Sequence, residues 1–191
     1  MQRPRILLVE DESIMRMDVK EMLVEGGYDV IGDVADGEKA VELAHTMQPD
    51  LIIMDVKMPK MNGIKASKII SKSLFIPILL LTAYSQRDLI EEAKNAYITG
   101  YLIKPIRESD LIPAVEIALT QAKRLSSLQD DVRTLERKLQ ERKTVERAKG
   151  LMMETYNLTE EEAYQRMRKD SMSNRLTMEE TARRILSDIN K

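Results

Sequence analysis

Four short apolar runs, each followed by polar side chains, constrain the fold of this chain more than any other feature. They occupy residues 6–9, 51–54, 78–81 and 102–103. Runs without polar interruption are typical of strands buried on both faces of a parallel sheet. The carboxyl ends of parallel strands meet at one edge of the sheet. We therefore expect a single site there, built from the residues that follow the runs: Glu10, Asp11, Asp55, Thr82 and Lys104.

The segments between these runs predict an α/β domain over residues 1–120. We expect strands at roughly 5–9, 28–34, 50–54, 77–81 and 100–103, and helices near 13–26, 37–48, 62–73 and 86–96. Strands that alternate with helices are joined by helical crossovers, which makes the sheet parallel.

From Ser109 onward the sequence predicts one long helix with a coiled-coil seam. Apolar residues recur at alternating steps of three and four from Leu125 to Leu139, which is the spacing of a helix that packs on another helix. A solitary helix would leave these residues in water, so we expect a homodimer, with residues 121–141 as the coiled-coil linker. The flanking charges allow a parallel or an antiparallel pair.

Two capping boxes predict two further helices after the long one. Thr159 is followed three residues later by Glu162, and Thr177 by Glu180, the pattern in which each side chain caps the other's backbone N–H. Together with the end of the long helix they predict a three-helix unit over residues 142–191. Residues expected in its core include Ala163, Met172 and Ala182.

Composition narrows the possible classes of protein. The 191 residues include no cysteine, which excludes disulfides, thiolate chemistry and zinc bound by cysteine. No apolar stretch approaches the length of a membrane span, so we expect a cytoplasmic protein without a membrane partner. The net charge of −2 combines an acidic first domain with a mildly basic remainder. The basic part fits either a polyanionic partner or a solvated helical surface.

The acidic residues at the strand ends predict a magnesium site beside a nucleophile. Carboxylates that converge at one edge repel one another, and a hard divalent cation such as Mg²⁺ relieves this repulsion. Asp55 is the expected nucleophile, because a carboxylate can attack phosphorus to give an aspartyl phosphate. The Lys104 ammonium and the Thr82 hydroxyl would then contact the phosphoryl oxygens. Outside this site no pair of nucleophile and base and no nucleotide loop occurs, so we do not expect a free-standing enzyme.

Residues 1–120 resemble the receiver domain of two-component response regulators, which has a flavodoxin-like (βα)5 fold. The resemblance lies in Glu10-Asp11, the segment Asp55-Val56-Lys57-Met58-Pro59-Lys60-Met61-Asn62-Gly63, Thr82-Ala83 and Lys104-Pro105. It implies a sensor histidine kinase as partner, Asp55 as phospho-acceptor, and Mg²⁺ bound by Glu10, Asp11, Asp55 and the backbone carbonyl of Lys57. It also implies that Tyr101 is the switch aromatic and that the Lys104-Pro105 bond is cis. One departure is Tyr97-Ile98, where the family often has Gly-Ala.

Residues from about 142 to 186 resemble the ANTAR domain, a three-helix RNA-binding module of transcription antiterminators. The matching pieces are Arg142, Ala148-Lys149-Gly150 with Leu151-Met152, Glu162-Ala163-Tyr164, Arg168 and Ser171-Met172. The arrangement resembles receiver–ANTAR regulators of the ethanolamine-utilisation and nitrate-assimilation type. By matching position, the expected RNA contacts are Arg142, Lys143, Lys149, Arg168 and Arg175.

These resemblances imply a phosphorylation-controlled dimer that binds tandem RNA hairpins and prevents transcription termination. Two rivals stay open from the sequence: a DNA-binding regulator that uses residues 159–190 as a helix-turn-helix, and a protein-interaction output without RNA binding.

Overall fold

A computed structural model describes residues 3–83 and 97–189 of the chain. Its first part contains a five-stranded sheet in which every paired strand is parallel, with strand order β2-β1-β3-β4-β5. The strands are β1 (Arg5–Val9), β2 (Asp29–Val34), β3 (Leu51–Asp55), β4 (Ile78–Thr82) and β5 (Ile98–Ile103). The helices that accompany them are α1 (Ser13–Glu25), α2 (Gly37–Met47), α3 (Gly63–Ser73) and α4 (Glu108–Tyr156). This is the flavodoxin-like architecture that the sequence predicts.

The sheet separates two apolar cores because alternate side chains of a strand point to opposite faces. On one face, Leu7, Ile52 and Met54 pack with apolar residues of α2 and α3. On the other face, Leu8 and Ile53 pack with residues of α1 and of the first turns of α4. Every residue of β3 and β4 is buried, which explains why their sequences are unbroken apolar runs.

The last strand begins earlier than the sequence suggests. We predicted β5 at 100–103, but it starts at Ile98, which pairs with Ile78 of β4 and packs into the first core. Tyr97 donates its backbone N–H to the Ser71 hydroxyl over 2.8 Å. The departure from the family's Gly-Ala pair is therefore the start of a strand. The predicted helix at 86–96 lies outside the described residues.

The second part of the chain is a small helical unit. Helix α5 (Glu160–Asn174) and helix α6 (Met178–Ile189) follow α4. Both predicted capping boxes are formed: Thr159 caps α5 together with Glu162 in its first turn, and Thr177 caps α6 together with Glu180 in its first turn. Five buried side chains form the core: Ala148, Met152, Ala163, Met167 and Ala182.

One core prediction was wrong. Met172 is 72% exposed, whereas Ala163 and Ala182 are fully buried as expected. The buried residues of α5 are Ala163, Met167 and Ser171, which follow one another at steps of four. Met172 is one residue further along and therefore points about a quarter of a turn away from the core.

The chain divides into two compact units, residues 1–126 and residues 127–191. Helix α4 supplies residues to both. In the described ranges, no helix is both long enough and apolar enough to cross a membrane.

Candidate metal centre and cationic surface

Three carboxylates converge at the carboxyl edge of the sheet, as the sequence predicts. Glu10 and Asp11 follow β1, and Asp55 is the last residue of β3, the strand that pairs with β1. Glu10 is fully buried, Asp55 is 4% exposed and Asp11 is exposed. One oxygen from each lies within 4.8 Å of the others. Oxygen donors this close to one another fit a hard divalent cation such as Mg²⁺.

Lys104 brings a positive charge to this cluster from the end of β5. Its Nζ atom lies 2.8 Å from Glu10 Oε2 and 3.0 Å from Asp55 Oδ2. Apart from this ammonium, no donor in the described part of the chain reaches Glu10 Oε2. The peptide bond between Lys104 and Pro105 is cis, as expected.

The protonation equilibria of these groups reflect burial and mutual charge. Burial raises the pKa of Glu10, and the charge of Asp55 adds to this rise, while the contact with Lys104 opposes it. Burial also works against the charge on Lys104, but its hydrogen bonds with Glu10 and Asp55 outweigh burial, so the pKa of Lys104 is raised. Lys104 thus contacts two of the three carboxylates, and a divalent cation would balance the remaining negative charge.

The other predicted residues of the site lie around this cluster. Thr82 is the last residue of β4 and is 5% exposed, while Tyr101 on the neighbouring β5 is 51% exposed. Lys57 lies in the turn after β3. Its carbonyl as a metal ligand stays a prediction, as do the roles of Thr82 and Tyr101.

The loop after Asp55 is held by contacts that the sequence reading did not identify. A Cβ atom at Gly63 would collide with the Asp55 carbonyl oxygen, so only glycine lets α3 begin this close to β3. The Asp36 carboxylate caps α2 and also accepts a hydrogen bond from Lys60 Nζ over 2.9 Å. An aspartate before a helix signals the cap, but its bond to Lys60 depends on tertiary packing.

The predicted RNA contacts fall into two groups in the second unit. Arg142 and Lys143 on α4, Arg168 on α5 and Arg175 just after α5 are exposed. Lys149 is different, because its side chain is 10% exposed and its Nζ lies 2.6 Å from Glu146 and 2.8 Å from Glu160. These ion pairs tie α4 to the start of α5. Lys149 therefore links the two helices, and its contact with RNA stays a prediction.

A cation–π contact lies on the surface of this unit. The Arg166 guanidinium sits 4.8 Å from the centre of the Tyr156 ring, which is a cation–π distance. Both residues are exposed, and Tyr164 on α5 is 42% exposed. Exposed aromatic rings are scarce in this unit, so stacking with nucleobases can involve few residues.

Comparison with known proteins places both units in families. Residues 6–116 match the response regulator receiver domain, and residues 133–186 match the ANTAR domain. The chain therefore belongs to the response regulators and carries an ANTAR domain as its output.

Relatives share either the whole arrangement or the receiver alone. The transcriptional regulatory protein PdtaR of Mycobacterium tuberculosis is 45% identical over 185 residues, which cover 97% of this chain and 90% of PdtaR. The chemotaxis protein CheY of Thermotoga maritima is 36% identical over 112 residues, 58% of this chain and 93% of CheY. Among solved structures, the receiver domain of a modulated diguanylate cyclase from Desulfovibrio desulfuricans superposes with a TM-score of 0.60 at 28% identity, covering 64% of this chain and 98% of that domain.

Proposed function

We propose that this protein is a phosphorylation-controlled, RNA-binding regulator that dimerises and binds tandem RNA hairpins to prevent transcription termination. One observation carries the proposal: a single chain joins a buried acidic centre with a lysine to an exposed cationic surface on α4. The similarity to PdtaR, a transcriptional regulatory protein, supports a role in transcription.

Phosphoryl transfer would begin with Asp55 as nucleophile. One of its carboxylate oxygens bonds to phosphorus while the bond from phosphorus to the histidine nitrogen of the kinase breaks. Lys104, already 3.0 Å from Asp55 Oδ2, would then neutralise a phosphoryl oxygen. Thr82, the last residue of the adjacent strand, would donate its hydroxyl to another oxygen.

Mg²⁺ fits the oxygens of Glu10, Asp11 and Asp55, with the Lys57 carbonyl as a further ligand, and would supply charge neutralisation for the incoming phosphoryl group. The role of the carboxylates is to hold a cation beside the nucleophile. We propose no enzymatic activity on any other substrate, since the acidic centre is the only catalytic constellation that the sequence indicates.

Dimerisation would proceed through the exposed seam of α4. Leu128, Leu135 and Leu139 are 60%, 64% and 55% exposed within one chain. Such a row of apolar side chains is stabilised when a second helix covers it. Two RNA-binding units in one dimer would bind two hairpins with much higher apparent affinity than one unit binds one hairpin.

RNA is the nucleic acid that this surface supports best. A protein can read a hairpin loop through unstacked bases that its side chains contact. To read duplex DNA, it would insert a helix into the major groove. Helix α6, the second helix of a possible helix-turn-helix, begins with Glu179 and Glu180, whose charges would face DNA phosphates. The proposed RNA contacts are Arg142, Lys143, Arg168 and Arg175.

The test is a comparison of nucleic acids over a range of salt concentrations. Binding of the full chain to a tandem-hairpin RNA, to one hairpin and to duplex DNA is measured by fluorescence anisotropy. We expect the tandem hairpin to bind tightest and its affinity to fall steeply with salt. Preference for duplex DNA would replace this proposal with a DNA-binding regulator, and no binding to either would support a protein-interaction output.

A further inference from the structure

Gly150 lies inside helix α4, where the fold itself gives no reason for a glycine. A Cβ atom built there meets nothing within 4 Å among the described residues, apart from the helix's own nearby backbone. The contrast with Gly63 is sharp, because a Cβ at Gly63 collides with the preceding strand. Glycine within a helix is destabilising relative to alanine. An alanine at position 150 would therefore suit the isolated protein better.

Gly150 stands at the end of a row of cations that have no ion-pair partner among the described residues. Lys143, Arg147 and Gly150 follow one another at steps of four and three, so they share one face of α4. With Arg142 they form what we call the cationic stripe. Its three charged members take part in no ion pair with any described residue, whereas the adjacent Lys149 and Glu146 pair with each other.

A mainly apolar groove lies beside the stripe. It is lined by Leu139, Arg142, Lys143, Glu146 and Arg147. Glu146 already contacts Lys149 over 2.6 Å. The charged side chains of the stripe, which have no ion-pair partner among the described residues, are therefore available to an external anion. One turn beyond Gly150 lies Glu154, which is exposed and negative.

We propose that the sugar–phosphate backbone of the RNA lies along the cationic stripe and comes closest to helix α4 at Gly150. This inference rests on the proposed RNA-binding function and adds the point of contact. Without a side chain, Gly150 lets a phosphate approach the helix surface, which is a common use of glycine beside a ligand.

The test is the variant Gly150→Ala in the full chain, activated with beryllofluoride and Mg²⁺. We expect its affinity for the tandem-hairpin RNA to fall roughly tenfold or more, because the new methyl group holds the backbone away from the stripe. The melting temperature should stay the same or rise, because alanine favours the helix. If Gly150 had a purely structural role, its replacement would not raise helix stability and lower RNA affinity together.

Two further variants make the comparison specific. Thr134 is exposed on the same helix but is not part of the stripe. Thr134→Ala also favours the helical conformation, and it should leave RNA affinity unchanged. Glu154→Gln removes the negative charge after the stripe and should tighten RNA binding, most clearly at low salt.

The remaining outcomes separate this inference from the function on which it rests. Unchanged RNA affinity in Gly150→Ala would overturn the inference about Gly150. If Lys143→Gln still bound RNA more weakly than the parent, the RNA-binding function itself would stand. A lower melting temperature would also overturn it, because the fold would then require the glycine. A change in dimer association at constant RNA affinity would assign Gly150 to a contact between copies. Failure of the parent protein to bind hairpin RNA would remove both proposals.

Discussion

At the scale of single residues, the acidic centre is a balance of charges around Asp55. Glu10 and Asp55 both contact one lysine, and both are buried. Two buried carboxylates at this distance disfavour each other's charge. The arrangement is therefore under electrostatic tension that either a cation or a neutral side chain would relieve.

Asp55→Asn is expected to separate stability from chemistry. The variant keeps the shape of the side chain but removes one negative charge, so without divalent cations its melting temperature should equal or exceed that of the parent. It should accept no phosphoryl group from a small-molecule donor, and its affinity for Mg²⁺ should fall. Thermal melts, phosphoprotein gels and Mg²⁺ titration measure these three effects. Asp29→Asn, at an exposed position away from the site, is the control that should change none of them.

Lys149 and Lys143 differ in role although both are cations on α4. Lys149 is ion-paired with Glu146 and Glu160, whereas Lys143 is exposed and without an ion-pair partner among the described residues. We expect Lys149→Gln to lower the melting temperature and to affect RNA binding only through loss of folded protein. Lys143→Gln should leave the melting temperature unchanged. It should also reduce the slope of log RNA affinity against log salt concentration by about 1, because one phosphate contact is lost. The reverse pattern would return Lys149 to the RNA surface.

At the scale of elements, we expect the seam of α4 to determine whether two copies associate. Leu128→Glu combined with Leu135→Glu places charges where a second helix would pack, so we expect a folded monomer. Sedimentation velocity of the activated protein measures this, with circular dichroism as the check on folding. Thr134→Glu, on the outer side of the same helix, should remain dimeric. A double variant that still dimerises would show that the two copies associate through another surface.

The capping boxes make the C-terminal unit sensitive to acid. Hydrogen bonds from Thr159 to Glu162 and from Thr177 to Glu180 lower the pKa of each glutamate below its ordinary value of 4.5. A lowered pKa in the folded state means that these groups stabilise the fold above that ordinary value. Their contribution is lost as the pH falls through the lowered pKa.

The corresponding prediction concerns the pH dependence of α5 and α6. Thr159→Ala combined with Thr177→Ala should destabilise the unit at pH 7 by about 1 kcal/mol per cap. It should also flatten the dependence of stability on pH below 4.5. Hydrogen exchange of peptides from residues 160–189 follows this unit alone. An equally steep acid dependence in the double variant would assign the sensitivity to other carboxylates.

The elements also show what sequence patterns can and cannot predict. Strands β1, β3 and β4 were placed within one residue, because buried parallel strands leave unbroken apolar runs. The start of β5 was missed by two residues, since Ile98 joins the sheet through a register shift opposite β4. The wrong assignment of Met172 to the core came from choosing the wrong one of two adjacent helix positions: Ser171 is buried and Met172 is exposed. The contacts of Lys149 and Lys60 join segments distant in sequence, so no local pattern reports them.

At the scale of the whole molecule, a receiver domain is joined to an ANTAR domain in one chain. The acidic residues of the site were predictable because parallel topology brings strand ends together. The output was predictable mainly through resemblance, since its chemistry alone fits several polyanions. What connects the two units is helix α4, which contributes Leu111 and Val115 to the receiver core and Ala148 and Met152 to the core of the output unit.

The most direct test is the affinity of the full chain for tandem-hairpin RNA with and without beryllofluoride and Mg²⁺. We predict that activation tightens binding in the parent protein and leaves Asp55→Asn unchanged, with the increase accompanied by dimer formation. Equal affinity in both states of the parent would contradict the claim that phosphorylation of the receiver controls RNA binding.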